Sequence, residues 1–175
     1  MVQNIQTERL ILRQWTRSDL APYADLCSNP NVMRWIGNGS VQTRTECEKT
    51  IQYFQVGWRD RGFGLFAVEL MRNGRFIGFC GLSVPTFLPE ILPAVEIGWR
   101  LDMAYWGSGY GTEAAEASLS FGLDTLGLDE IVSVHQVGND ASTRIMRKIG
   151  MCFDKKTIDP SCERLVHIYR KNREE

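Results

Sequence analysis

The chain of 175 residues carries almost no net charge, with 20 basic side chains against 21 acidic ones. That balance removes the general electrostatic reason to bind nucleic acid or an anionic membrane. Long apolar runs are absent as well, none approaching the ~20 residues that cross a bilayer. The opening Met1–Arg9 lacks the basic-then-apolar order of a signal peptide, so a cytoplasmic protein is expected. Histidine is scarce, only His135 and His167. The cysteines, Cys27, Cys47, Cys80, Cys152 and Cys162, are odd in number, widely spaced and never paired as C-x-x-C. No metal site is expected from that set, and reduced, mostly buried thiols are. With no internal repeat, low-complexity tract or linker, residues 1–175 are expected to form one domain, large enough to bury a core.

What is present is a mixture of two periodicities. Arg9 to Trp15 is short and β-like, and Ser18-Asp19 opens a helical stretch that Asn29-Pro30 stops. Thr43 and Glu46 form a capping box ahead of Ile51, Phe54 and Trp58 at helical spacing, and Gly62 or Gly64 ends that helix. Leu65–Met71 and Phe76–Val84 are β-rich runs joined around Asn73-Gly74, a pair suited to a type I′ hairpin turn. A loop with Pro85, Pro89 and Pro93 precedes a strand over Ala94–Leu101. A helix over Thr112–Leu126 follows, striped by Ala115, Leu119, Leu123 and Leu126 and stopped by Gly127. Glu130–Gln136 reads as a strand, Ala141–Ile149 as a helix, and Leu165–Arg170 as the final strand. Antiparallel hairpins followed by strand–helix–strand imply an α+β fold, a mixed and mostly antiparallel sheet with helices on both faces.

The segment Trp106-Gly107-Ser108-Gly109-Tyr110-Gly111-Thr112 places three alternating glycines directly before a helix. Absent Cβ atoms let the backbone turn sharply and a ligand come close. The first helical amides lack internal partners and sit at the positive end of the dipole, which suits a pyrophosphate. The dinucleotide fingerprint fails because Thr112 stands where its third glycine belongs, and the P-loop fails for want of Gly-Lys-Ser/Thr. The segment resembles the acetyl-CoA signature Q/R-x-x-G-x-G/A of the GNAT superfamily of N-acetyltransferases, with Trp106 in the first position and Gly109 and Gly111 in the small ones. Thr7-Glu8-Arg9-Leu10-Ile11-Leu12-Arg13 and Asn139-Asp140-Ala141-Ser142 through Lys148-Ile149-Gly150 are similar to the branch that includes ribosomal-protein N-terminal acetyltransferases. The resemblance implies transfer of acetyl from acetyl-CoA to a primary amine, by direct attack in a ternary complex, with acetyl-CoA as co-substrate. The amine belongs to a protein or peptide N terminus or to a small molecule.

Such a transfer needs an amine without its extra proton, a donor for charge building on the thioester oxygen, and tolerance of the departing thiolate. Glu96 is the candidate base, a carboxylate out of place among Val95, Ile97 and Trp99 on the strand that leads to the glycine loop. A salt-bridged or solvent-facing strand residue is the competing reading. The resemblance also implies that the backbone of Trp99, Arg100 and Leu101 meets the pantetheine arm, with Trp106–Thr112 around the diphosphate. Asn139 is an N-cap or, by resemblance, a further pantetheine contact. Ser142 is a candidate proton donor to the sulfur, because Met146 occupies the position where many relatives carry a donating Tyr.

Arg144, Arg147 and Lys148 read as a solvated helix face, with the remote phosphates as the alternative. Trp35, Phe87, Leu88, Ile91 and Leu92 are apolar for loop residues and suit core packing, an acceptor pocket or a homodimer contact. An alternative of another class is a non-catalytic module that senses acyl-CoA.

Overall fold

The structure, a computed structural model, describes residues 4–173. Residues 1–3, the start of the segment weighed above as a leader, lie outside the described residues. The strands are β1 (Ile5–Gln6), β2 (Leu10–Arg13), β3 (Leu65–Leu70), β4 (Arg75–Ser83), β5 (Glu96–Leu101), β6 (Glu130–Gln136), β7 (Cys152–Asp159) and β8 (Arg164–Asn172). They form one sheet in the order β1-β2-β3-β4-β5-β6-β8-β7. Every neighbouring pair is antiparallel except β5 and β6, which run parallel. The helices are α1 (Leu20–Cys27), α2 (Pro30–Met33), α3 (Arg44–Arg61), α4 (Tyr110–Ser120) and α5 (Asp140–Lys148).

Strand alternation gives the sheet two apolar faces. On the first face Leu10, Ile97, Leu101 and Ile131 pack beneath Ala114, Ala115 and Leu119 of α4 and Met146 of α5. On the second face Trp15, Ala67 and Phe79 pack against Tyr23, Cys27 and Ile51 of α1 and α3. A smaller cluster on that face seats Leu88 and Ile91 of the proline-bearing loop on Val132, Val166 and Ile168. Core packing therefore accounts for Leu88 and Ile91, while Leu92 remains 41% exposed.

Local chemistry sets most boundaries. Thr43 and Glu46 exchange the two hydrogen bonds of a capping box, and Gly62 closes α3 in the left-handed conformation at φ 75°. Asn29 and Pro30 end α1 and also start α2, with Asn29 as N-cap and Pro30 in the first turn, where its missing N–H costs nothing.

Three expectations are corrected. Asn73-Gly74 does not make a type I′ turn, because only Gly74 has positive φ (67°). Leu70 and Arg75 instead pair across a four-residue loop, in which Asn73 Oδ1 accepts from the Arg75 amide at 3.2 Å. The helix expected to reach Leu126 is regular only to Ser120, and Phe121–Thr125 is a π turn. The wider turn advances the phase, so Leu126 leaves the buried stripe and is 36% exposed. Finally, β7 intervenes before the last strand. It is an edge strand, exposed along most of its length and carrying Lys155 and Lys156, so it shows no apolar alternation.

Candidate functional site

The parallel pair β5 and β6 is registered only at Glu96 and Val132. Past that point the strands part, held by the Ser133 hydroxyl donating to the Ile97 carbonyl at 2.9 Å. Which β5 groups face the gap follows from the opposite edge. The Asp102 amide donates to Ile77 on β4 at 2.9 Å. In an antiparallel ladder the same bonding then falls on Arg100 with Phe79 and Gly98 with Gly81. The backbone groups of Trp99 and Leu101 therefore point into the gap, where Trp106 Nε1–H caps the Leu101 carbonyl at 2.9 Å. Arg100, expected beside them as a backbone contact, is turned the other way. Its amide belongs to β4 and its side chain to the second face.

The glycine loop sits at the mouth of this gap. Gly107 (φ 73°) and Gly109 (φ 85°) are both in the left-handed region. Gly109 is the N-cap of α4 and has no side chain to satisfy the first turn. Among the described residues the amides of Tyr110, Gly111 and Thr112 donate to no backbone carbonyl. Three free donors at the positive end of a helix dipole fit a diphosphate. The close approach expected at Gly111 is met by protein, because a Cβ there would lie 2.9 Å from the Ile145 methyl of α5.

Sequence reasoning marked Thr7 and Arg9 as motif residues without seeing that they meet Glu113 in the first turn of α4. Glu113 Oε1 accepts from the Thr7 hydroxyl at 2.6 Å and from the Arg9 amide at 2.8 Å, and its Oε2 takes the Arg9 Nε at 2.7 Å. Arg9 Nη1 continues to the Ser108 carbonyl at 3.0 Å, and the guanidinium stacks 4.5 Å from the Tyr110 ring. Burial alone would raise the Glu113 carboxyl, but these donors hold it below the ordinary carboxylate range. The turn between β1 and β2 thus fastens the loop from outside. Glu113→Gln is expected to weaken acetyl-CoA binding roughly tenfold through loss of charge-assisted hydrogen bonds, with little change in kcat at saturation. Isothermal calorimetry beside steady-state kinetics checks the split.

Glu96 lies on the second face, 8% exposed, opposite Ser83 on β4. Burial is the main cause that lifts its carboxyl to about 8, and the Asp159 carboxylate adds to the rise, while the Val134 amide and the Ser83 hydroxyl oppose it. It forms no ion pair among the described residues, which removes the salt-bridge reading. Over this face the segment after α2 is fastened to β6 and β8. Gln136 Nε2 donates to the Gly37 carbonyl at 2.6 Å, and Arg164 Nη1 joins the Arg34 carbonyl (3.0 Å) to Gln136 Oε1 (2.7 Å). Trp35 rests against Gly138, where a Cβ would come within 3.2 Å of the indole.

On the first face, Asn139 caps α5 by accepting from the Ser142 amide at 3.3 Å. Ser142 is half-buried, and its hydroxyl is uncommitted among the described residues. Met146 is a core residue, 1% exposed. His135 is structural. Nδ1–H donates to the Gln136 carbonyl at 2.9 Å, Nε2 accepts from Thr143 at 3.1 Å, and burial lowers its pKa. Arg144, Arg147 and Lys148 are exposed.

Residues 9–152 match the family model described as the acetyltransferase (GNAT) domain. The uncharacterized protein YkkB of Bacillus subtilis is 31% identical over 150 residues, 85% of each chain. An acetyltransferase from Agrobacterium tumefaciens superposes with a TM-score of 0.81 at 27% identity, covering 97% of this chain and 95% of that one. RimL, a ribosomal L7/L12 α-N-protein acetyltransferase solved with coenzyme A, shares the fold at a TM-score of 0.77 and 16% identity, over 97% of this chain and 98% of its own. Among the described residues no helix is long and apolar enough to cross a membrane.

Proposed function

Because the chain belongs to the GNAT acetyltransferase family and uses acetyl-CoA as co-substrate, we propose that it acetylates a primary amine delivered to Glu96 from the second face of the sheet. The observation that carries this reading is the buried, ion-pair-free Glu96 carboxyl beside the β5–β6 gap, lifted to about 8. A carboxylate that basic takes a proton from an ammonium far more readily than an ordinary one, and more readily from an α-amine (~8) than from a lysine (~10).

The free amides of Tyr110, Gly111 and Thr112 hold the diphosphate, and the backbone groups of Trp99 and Leu101 that face the gap hold the pantetheine arm. The bound co-substrate supplies an acetyl thioester. An N–H from β5 pointing into the gap stabilises the charge on its oxygen. Glu96 receives the amine proton, directly or through water, and the Ser142 hydroxyl at the start of α5 donates a proton to the departing sulfur. That hydroxyl is replenished by the second proton that the nitrogen loses on forming the amide. Asn139 has its carbonyl oxygen committed to the helix cap and keeps its NH₂ for the pantetheine arm.

Incubating the protein with acetyl-CoA and a panel of small amines and free-N-terminal peptides, with thiol detection, tests the reading. Amine-dependent thiol release supports it. Acetyl-CoA binding without release from any amine would favour a sensor instead. Ser142→Ala is expected to lower kcat with little change in acetyl-CoA affinity. An unaltered kcat where chemistry limits the rate removes Ser142 from the mechanism.

A further inference from the structure

Alternate residues of a strand share a face, so Glu96, Gly98 and Arg100 form one row on the second face of β5. The middle of the row is open, for a Cβ on Gly98 would meet nothing within 4 Å. One end is the Glu96 carboxyl. The other is the Arg100 guanidinium, which lies 5.1 Å from the centre of the Phe79 ring.

Arg100 is poorly matched by the protein around it. Its Nη1 donates to the Tyr23 hydroxyl at 3.4 Å and to the Cys27 sulfur at 3.3 Å, two uncharged and weak acceptors. Its Nε is buried without a hydrogen-bond partner. No carboxylate among the described residues forms an ion pair with it. Arginine stays charged throughout the physiological range, and burying part of a cation with no counter-charge is costly. If the side chain served only to hold α1 against β5, an uncharged residue of similar size would do so without that cost. With Nη1 turned towards α1, the remaining edge of the guanidinium is Nε with Nη2. That fork holds a carboxylate through two parallel hydrogen bonds.

We infer that the acceptor is an amine that also carries a carboxylate, an amino acid or short peptide, with its amine at the Glu96 end of the row and its carboxylate on Arg100. The inference rests on the amine-acceptor reading above. Four residues of strand separate the two ends by ~13 Å between Cα atoms, a distance that the two side chains and the acceptor span together. A polyamine would leave Arg100 facing a second positive charge.

The experiment compares kcat/KM for matched acceptors, each amino acid or dipeptide against its C-terminal amide. An aminoalkyl phosphate and a polyamine complete the panel. The wild type is expected to prefer the carboxylate over the amide by at least ~10-fold, as for a bidentate charged pair. Arg100→Gln should bring that ratio close to one, and Arg100→Lys should retain part of it. A purely structural role would lower both members of each pair together and leave the ratio intact, which overturns the inference. So does a wild-type ratio below ~2, or an Arg100-dependent preference for the phosphate. Turnover of the polyamine alone overturns the inference and leaves the amine-acceptor function standing. No turnover across the panel, with acetyl-CoA still bound, overturns that function itself.

Discussion

Glu96→Gln is expected to reduce kcat/KM for acetyl transfer by ~10²–10⁴-fold at neutral pH while acetyl-CoA affinity is retained. Gln keeps the size and much of the hydrogen bonding of the residue opposite Ser83, but it cannot accept the amine proton. The pH profile separates loss of a base from distortion of the site. In the wild type the group that must be ionised is a carboxyl that burial has lifted to about 8, so the rate should climb as pH rises through that value. In the variant the acceptor must arrive already neutral, and the climb should follow the amine, towards ~10 for a lysine-like acceptor. With a lysine-like probe the two curves therefore diverge most near neutrality and converge at high pH. With an α-amine both climb near ~8, and the size of the gap carries the test. Measuring kcat/KM for both proteins from about pH 6 to 10 decides the matter. Parallel profiles differing by less than ~3-fold would leave deprotonation to water or to another residue.

Much of the fold was legible because its determinants are local. The capping box of Thr43 with Glu46 and the left-handed Gly62 are written within a few residues of the helix ends they make. Glu130–Gln136 announces itself by β-branched residues and appears with those bounds. The failures have a shared cause in non-local packing. Strand β7 exists because β8 pairs with it through seven registered positions, although its own sequence is mostly exposed and half charged. The π turn at Phe121–Thr125 has no sequence signal. Gly122 within it lies where a Cβ would collide with the Ile131 methyl, so the turn packs closely on β6.

The site divides in the same way. The glycine loop is contiguous, and Glu96 stood out as a carboxylate in an apolar strand. The clamp on the loop did not, because Arg9 and Glu113 are 104 residues apart and meet only once β2 lies alongside α4. Arg100 was placed with the cofactor for want of a register. Only the pairing of Phe79 with Arg100 and of Ile77 with Asp102 shows which β5 amides face β4 and which face the gap. A strand's alternation can be read from sequence, but which edge pairs with which neighbour cannot.

Gly109→Val should weaken acetyl-CoA binding by ~100-fold or more, whereas Gly111→Ala should alter it by only a few-fold. The two glycines look equivalent in sequence, and the structure separates them. Gly109 is the N-cap of α4 at φ 85°, a conformation that costs an L-residue ~1–2 kcal/mol and a β-branched one more. Its new Cβ would also stand 3.2 Å from Arg9 Nη2, against the side chain that fastens Ser108. Relaxing either strain turns the amides of Tyr110 to Thr112 away from their common direction. Hydrogen bonds to a charged group contribute ~1.5–3 kcal/mol each, so misdirecting two of them accounts for the expected loss. At Gly111 the backbone is ordinary, and the added methyl meets the flexible end of Ile145 at 2.9 Å. That contact loosens α4 against α5 and leaves the amides aimed where they were. Gly111→Ala should accordingly lower the melting temperature more than it lowers affinity, and Gly109→Val the reverse. Calorimetric titration with acetyl-CoA, alongside thermal unfolding of both variants, reads the contrast. Near-wild-type affinity in a folded Gly109→Val protein would place the diphosphate elsewhere than on this loop.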